Sequence, residues 1–442
     1  MSARMLRARR VKRGKRRALT AAVVAGALGA SLLTGVEGAA AGPPKPGPQA
    51  PPPAAAVSDT ASALLTAKLR GSRVEVLGAR SETATTWANP DGTLTTDTAA
   101  GPVRFRRGTD WVDVDVSFGR QPDGSVASKA HPRGLTLAAA KGGRAASFAG
   151  AVNAPAQDLI TLSAGDRSVS MRWKGGLPQP QTDGSRATYP DVLPGADLVI
   201  DATRTGYEQS LLLKRRPAED ATFVLPIRAP GVTAVQQPDG SVEFSERASG
   251  RRLSTMPAPV MWDATVDERS LEHTRRAPVG LTVTQSGDDI ELRLSPDAAF
   301  LADPATRYPV TVDPSDTVLS DVFDTFVQQG DTVDESASTE LKIGWPGDYA
   351  DPGPNTKPRV ARSFISWDMA PIKDALVSSA TLSLFNYHSW NCQAPAAWEV
   401  WDTGTGKTTS RWTAQPNWYQ RYATSTETKG QNCPTAATSA PT

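Results

Sequence analysis

The feature that most restricts this chain is a two-residue apolar period broken by short turn triplets. Val112, Val114, Val116 and Phe118 alternate with Asp113, Asp115 and Ser117, and Val169, Met171 and Trp173 alternate likewise. Leu281 and Val283 are answered by Ile290, Leu292 and Leu294 across Ser286-Gly287-Asp288. A period of two sends successive side chains to opposite faces, so each run predicts a strand with one buried and one wet face. Asp113 and Asp115 then share the wet face of a single strand. Pro90-Asp91-Gly92, Pro122-Asp123-Gly124-Ser125 and Pro238-Asp239-Gly240-Ser241 read as turns. Proline presets φ, aspartate bonds back to the backbone, and glycine takes the left-handed conformation. Their irregular intervals make them hairpin turns rather than a solenoid period. Another hairpin is expected around Gly108. Helical periodicity is scarce, with one short helix expected at Thr60–Leu69. The fold class is therefore all-β, built of antiparallel β-sandwich domains.

The N-terminus is different. Nine Arg and Lys and no acid fall between Arg4 and Arg17, an apolar run follows from Ala18 to Leu33, and Ala39-Ala40-Ala41 precedes a Pro-rich stretch. These are the three parts of a cleavable secretory signal, with cleavage after Ala41. Gly26, Gly29 and Gly35 break the apolar run, and a span needs about 20 apolar residues, so no stable membrane anchor is expected. The Arg16-Arg17 pair does not separate general from twin-arginine export. Residues 42–56, mostly Pro, Ala and Gly, read as an extended linker. The full chain carries +2, of which residues 1–41 contribute +8, leaving −6 for the rest. An acidic remainder with no basic patch argues against a nucleic-acid partner.

Composition shifts near Tyr308–Asp316. Of eleven Trp, seven lie at or beyond Trp345, joined by Tyr349, Tyr387, Tyr419 and Tyr422. The expected organisation is a signal at 1–41, a linker at 42–56, a β-rich region of one or two subdomains at 57–315, and an aromatic-rich module at 316–442. The two cysteines, Cys392 and Cys433, both fall in that module. Outside the cytoplasm two thiols in one region point to a disulfide, with a metal pair or a catalytic thiol as alternatives.

Enzyme signatures are absent. The three histidines, His131, His273 and His388, stand in no catalytic motif. Asp113 with Asp115 and Asp288 with Asp289 offer paired carboxylates for a hydrolase, but a solvated strand face and a turn explain them. No enzymatic activity and no cofactor are expected, and neither metal binding nor calcium is assigned. Aromatic side chains in loops suit the C–H faces of sugars, and Trp345, Tyr349, Trp390 and Trp418 fall in turn-rich stretches. They are the candidate carbohydrate-binding residues, whereas Trp367 and Trp412 are expected in the core.

Several strings in the module carry a resemblance. Asp324-Thr325-Phe326-Val327, Glu340-Leu341-Lys342-Ile343-Gly344, Arg362-Ser363-Phe364-Ile365-Ser366-Trp367-Asp368, Val377–Leu384 and Trp412-Thr413-Ala414-Gln415-Pro416 resemble the DNRLRE domain, also classed as carbohydrate-binding module family 96. That resemblance implies a jelly-roll-like β-sandwich in a secreted bacterial protein. It also implies strands beyond Pro416, so the module is expected to be either a shortened variant stapled by Cys392–Cys433 or an incomplete part of a longer protein. Trp87–Leu94, Tyr189–Leu198 and Tyr308–Pro314 look like the front of secreted actinobacterial wall-associated and RHS-type proteins. Together they imply a secreted, non-enzymatic protein, extracellular or at the cell wall, that binds polysaccharide or wall glycan. The alternative is the N-terminal structural or delivery part of a larger RHS-type surface or toxin protein, with a secreted glycan hydrolase as a third reading.

Overall fold

The computed structural model describes residues 2–4, 55–143, 147–164, 167–266, 273–314, 317–318, 323–332, 334–336, 338, 340–344, 360–386, 388–389 and 397–426. Ala41, Trp345, Tyr349, Trp390, Cys392 and Cys433 lie outside them, so the cleavage site, three of the four candidate aromatics and the cysteine pair carry no structural account.

The chain is all-β, and its body is one antiparallel ladder of fourteen strands. From Gln181–Asp183 the ladder passes through Arg186–Leu193, Ala196–Ala202, Tyr207–Leu213, Val310–Asp313, Val260–Trp262 and Arg276–Ser286. It continues through Asp289–Pro296, Phe223–Arg228, Arg167–Lys174, Ala156–Ala164, Thr136–Leu137 and Val126–Ala130 to Asp115–Arg120. The last strand returns to the first, where the Phe118 N–H donates to the Gly184 carbonyl at 2.8 Å. The ladder thus nearly closes and wraps its inner faces around a single core of thirty-six buried residues. Trp173 and Tyr189 are its largest fully buried side chains. The Tyr189 hydroxyl donates to the Ala138 carbonyl at 2.6 Å, which satisfies its polar end. A small antiparallel sheet of Val232–Gln236, Val242–Glu246, Arg252–Met256 and Thr317–Val318 adds Val242, Phe244 and Met256 to the same core.

The alternation runs sit where the period places them. Met171 and Trp173 are buried, and Ile290, Leu292 and Leu294 are at most 1% exposed. Ser286 faces Asp289 across a two-residue turn, with Gly287 at φ +60° in the first central position that a type II′ turn reserves for glycine. The three Pro-Asp-Gly turns share one geometry. Asp91, Asp123 and Asp239 each accept both the backbone N–H and the hydroxyl of the residue two places on, Thr93, Ser125 and Ser241. Those hydroxyl bonds, then the backbone bonds, hold the three carboxyls below the usual range.

One strand expectation fails. The run Val112–Phe118 breaks at Val114, whose N–H donates to the Val103 carbonyl. Asp110–Asp113 pairs with Arg104–Arg107 around Gly108, while Asp115–Arg120 joins the large ladder. Alternation alone does not reveal that a strand changes partners midway, because both halves keep the same period.

Ahead of the body, a helix at Thr60–Arg70 opens on Asp59, which accepts the Ser62 N–H, and ends at Gly71 in the left-handed conformation. Its Ala63 and Ala67 pack on Val74, Val76 and Ala88 of a second sheet. Beyond residue 322, Phe323–Gln328 pairs with Ala361–Ser366 and Trp398–Thr403 with Trp418–Ser425, while Thr381–Ser383 runs parallel to Ser2–Arg4 at the edge of the second sheet.

Candidate functional site

The arrangement that gathers the C-terminal aromatics is organised by an arginine. Ala361–Ser366 alternates, so Arg362 and Phe364 project from one face, and Phe364 is buried. The Arg362 guanidinium lies 4.5 Å from the Trp412 ring centroid and 4.6 Å from that of Trp418. Its Nη1 donates to Gln415 Oε1 at 3.0 Å. A planar cation between two indole faces gains quadrupole attraction on both sides. Burial lowers the Arg362 pKa from its ordinary value. Trp418 stacks in turn on Trp401, with centroids 5.3 Å apart and planes tilted by 53°. The Trp401 indole N–H donates to Glu399 Oε2, and Arg421 donates to Glu399 Oε1 at 2.7 Å. These two bonds, Arg421 first, keep the Glu399 carboxyl below its usual range.

Trp418, the one candidate aromatic among the described residues, lies against Arg362 and Trp401. It leaves 40% of its surface to solvent. Trp367 and Trp412, expected in the core, are only half-buried. Among the described residues neither two-stranded ladder has an opposing sheet to bury them. Arg362 was not singled out from the sequence. Its only signal there is a lone arginine two places before a strand phenylalanine, flanked by tryptophans only in three dimensions.

The residues considered for hydrolysis are not brought together. Asp115 accepts the Ser117 N–H and faces Lys129 at 3.9 Å. Asp288 takes Arg247 at 3.1 Å and the Gly231 N–H, and Asp289 faces Arg228. His131 is 2% exposed: its Nδ1 accepts the Arg133 N–H, so Nε2–H donates to the Thr203 and Gly206 carbonyls. His273 stacks on Trp262 with centroids 5.7 Å apart, and its Nδ1 lies 2.6 Å from the Asp263 carbonyl. Desolvation is the main force lowering both imidazole pKa values. Among the described residues no group of three or more His, Cys, Asp or Glu could hold a metal ion.

The joint between body and C-terminal segment is polar. Arg276 Nη1 lies 3.6 Å from Glu335 Oε1, and the Thr83 hydroxyl donates to Asp368 at 3.4 Å. Burial, and then the charge of Asp331, push the Glu335 carboxyl well up.

No protein-family model and no solved structure matches the chain. Three curated relatives do match. The tRNA3(Ser)-specific nuclease WapA of Bacillus spizizenii is 30% identical over 238 residues, 51% of this chain and 10% of the relative. The tRNA nuclease WapA of Bacillus subtilis strain 168 gives the same identity and coverage. The tRNA(Glu)-specific nuclease WapA of Bacillus subtilis subsp. natto is 30% identical over 251 residues, 54% of this chain and 10% of the relative. The match thus spans about a tenth of the relatives' length. This similarity overturns three expectations from the sequence: a polysaccharide ligand, no nucleic-acid partner and no enzymatic activity. The net charge of −6 behind the second is a sum over residues 42–442, and it says nothing of the partners named for relatives many times longer than the matched stretch.

Proposed function

We propose that this chain is the structural, delivery part of a longer exported surface or toxin polypeptide, with the nucleic-acid chemistry named for its relatives belonging to the complete protein. The observation that carries this reading is the lopsided similarity: half of this chain, but a tenth of each nuclease, at 30% identity. The fold supports it. The body spends its apolar residues on one continuous core, and its histidines and paired carboxylates are taken up by turns, ion pairs and carbonyl contacts. A nearly closed β ladder is a stiff carrier. The DNRLRE-like segment then acts as a spacer between that carrier and the domains C-terminal to it.

The test has two parts. The reading frame is traced beyond residue 442, and tRNA cleavage is assayed for the continued polypeptide and for the 442-residue chain. A long continuing frame with cleavage only in the continued polypeptide supports the proposal. A frame that stops, or cleavage by the 442-residue chain itself, overturns it.

A further inference from the structure

His131, 2% exposed, stands between two parts of the fold. Its own turn is fixed to the ladder: the Gly134 N–H donates to the His131 carbonyl at 3.0 Å, and the Ser163 N–H to the Arg133 carbonyl at 2.7 Å. Opposite it, residues 203–206 connect Ala196–Ala202 to Tyr207–Leu213. That loop is tied across its own ends. The Thr203 N–H donates to the Gly206 carbonyl and the Gly206 N–H to the Thr203 hydroxyl, both at 3.0 Å. The Thr203 and Gly206 carbonyls converge on His131 Nε2, at 3.0 and 3.2 Å. Between them the half-buried Arg204 reaches outward, and its Nη1 donates to the Pro102 carbonyl at 3.4 Å. Pro102 leads into Val103 and Arg104, whose N–H groups donate to the Glu82 carbonyl beside the second sheet. One imidazole thus supports a loop by which the body grips the N-terminal sheet.

The ring is held in its neutral form. Nδ1 accepts the Arg133 N–H at 3.0 Å, so a proton on Nδ1 would set donor against donor. Burial, foremost, lowers the pKa; the Gly206 and Thr203 carbonyls act against that, and the charge of Arg133 adds to it. Among the described residues, the charged groups on the elements packed around it are Arg133 on its own turn, Arg204 on the loop and Lys129 on the preceding strand. Lys129 faces Asp115 at 3.9 Å. We propose that His131 is an acid-operated latch: once Nδ1 is protonated the ring leaves its socket, the 203–206 loop loses both carbonyl bonds, and Arg204 lets go of the N-terminal sheet while the ladder keeps its form. The ladder can survive because the bond that brings its ends together, from Phe118 to Gly184, does not pass through His131. The sign follows from linkage. The released ring binds its proton more tightly than the seated one, so the latch holds above about pH 6.5 and weakens as pH falls through the depressed value.

The experiment reads amide hydrogen exchange of the 442-residue chain at pH 7.5 and 5.0, corrected for the intrinsic pH dependence of exchange. Protection of residues 131–135, 203–206 and 101–114 should fall about tenfold between the two. Uptake of one proton with an ordinary pKa of about 6.5 permits no more than about thirtyfold over that range. Residues 289–296 of the ladder should keep their protection. His131→Asn should abolish the fall, because asparagine accepts the N–H two residues on without titrating. Arg204→Ala at pH 7.5 should loosen 101–114 and leave 131–135 protected, which separates the latch from what it holds. Constant protection of the parent chain across the two pH values overturns the proposal, and so does an equal fall in the parent and in His131→Asn. Loss of protection at 289–296 alongside the rest is acid unfolding of the body and also overturns it. Unchanged exchange at 101–114 in Arg204→Ala overturns the link to the N-terminal sheet.

Discussion

Residues 115–313 and the strand pairs at 323–366 and 398–425 are both antiparallel β-structure, yet they handle apolar surface in opposite ways. In the first, the ladder curls until its ends nearly meet, and thirty-six residues share one core. In the second, two separate strand pairs bury only Phe326, Val327, Ala361 and Phe364 among their apolar residues. Among the described residues, nine of the fifteen exposed large apolar side chains lie at or beyond Ile343, with Leu376 at 98%. Strand pairing costs little sequence information; it is closure that buries side chains on a shared inner face. Where a ladder stays open, cation–π stacking and ion pairs hold what a core holds elsewhere, as Arg362 does between Trp412 and Trp418.

Truncation of a large core residue should expose the contrast most strongly. Trp173→Ala is expected to cost the body about 3–5 kcal/mol in urea unfolding, whereas Trp418→Ala, 40% exposed, should leave that transition in place. Comparable losses from the two would break the comparison.

Acidification should also single out the body, by less. His131 and His273 have pKa values depressed in the fold. The unfolded chain therefore binds more protons, and the stability these groups contribute is full above about pH 6.5 and lost as pH falls through the depressed values. Each takes up at most one proton, a slope no steeper than about 1.4 kcal/mol per pH unit. The Glu335 carboxyl, raised to about 8, acts in the opposite direction over this window, so the test is a difference: His131→Gln should gain on the parent chain in urea midpoint as pH falls from 7.5 to 5.5.

In the C-terminal segment, Arg362→Ala should loosen the second strand pair by about 1–2 kcal/mol, read as faster amide exchange across 398–403 and 418–425. Arg362→Lys should restore only part, because an ammonium lacks the planar faces that meet both indoles. The global unfolding midpoint should stay put in both variants.

The smallest effects concern the turns. Gly92 sits at φ +87° with open space around it, so Gly92→Ala should cost only the left-handed strain, about 1 kcal/mol. Gly240, at φ +86°, should cost more, since an added Cβ would lie 3.2 Å from the Ala258 Cβ. Equal costs, measured by thermal unfolding, would show that the neighbour yields freely.

Much of this was legible in the residues. The Pro-Asp-Gly turns, the Gly287 hairpin, the short helix from Thr60 and the burial of Met171 and Trp173 come from local rules, since turn chemistry and side-chain period act within a few residues. The candidate site was legible only as an excess of tryptophan. Nothing local to Arg362 announces that Trp412 and Trp418, about fifty residues away, will stack on it.

Sequence by itself determined the strand class, the turns and which face of each strand is apolar. Tertiary structure decided which strands meet: that Val310–Asp313 inserts between Tyr207–Leu213 and Val260–Trp262, that the run through Val114 divides between two partners, and that the ladder returns to Gly184. The reason is physical. A strand's period fixes its own two faces, but every strand offers the same row of backbone donors and acceptors, so the choice of neighbour belongs to packing of the whole.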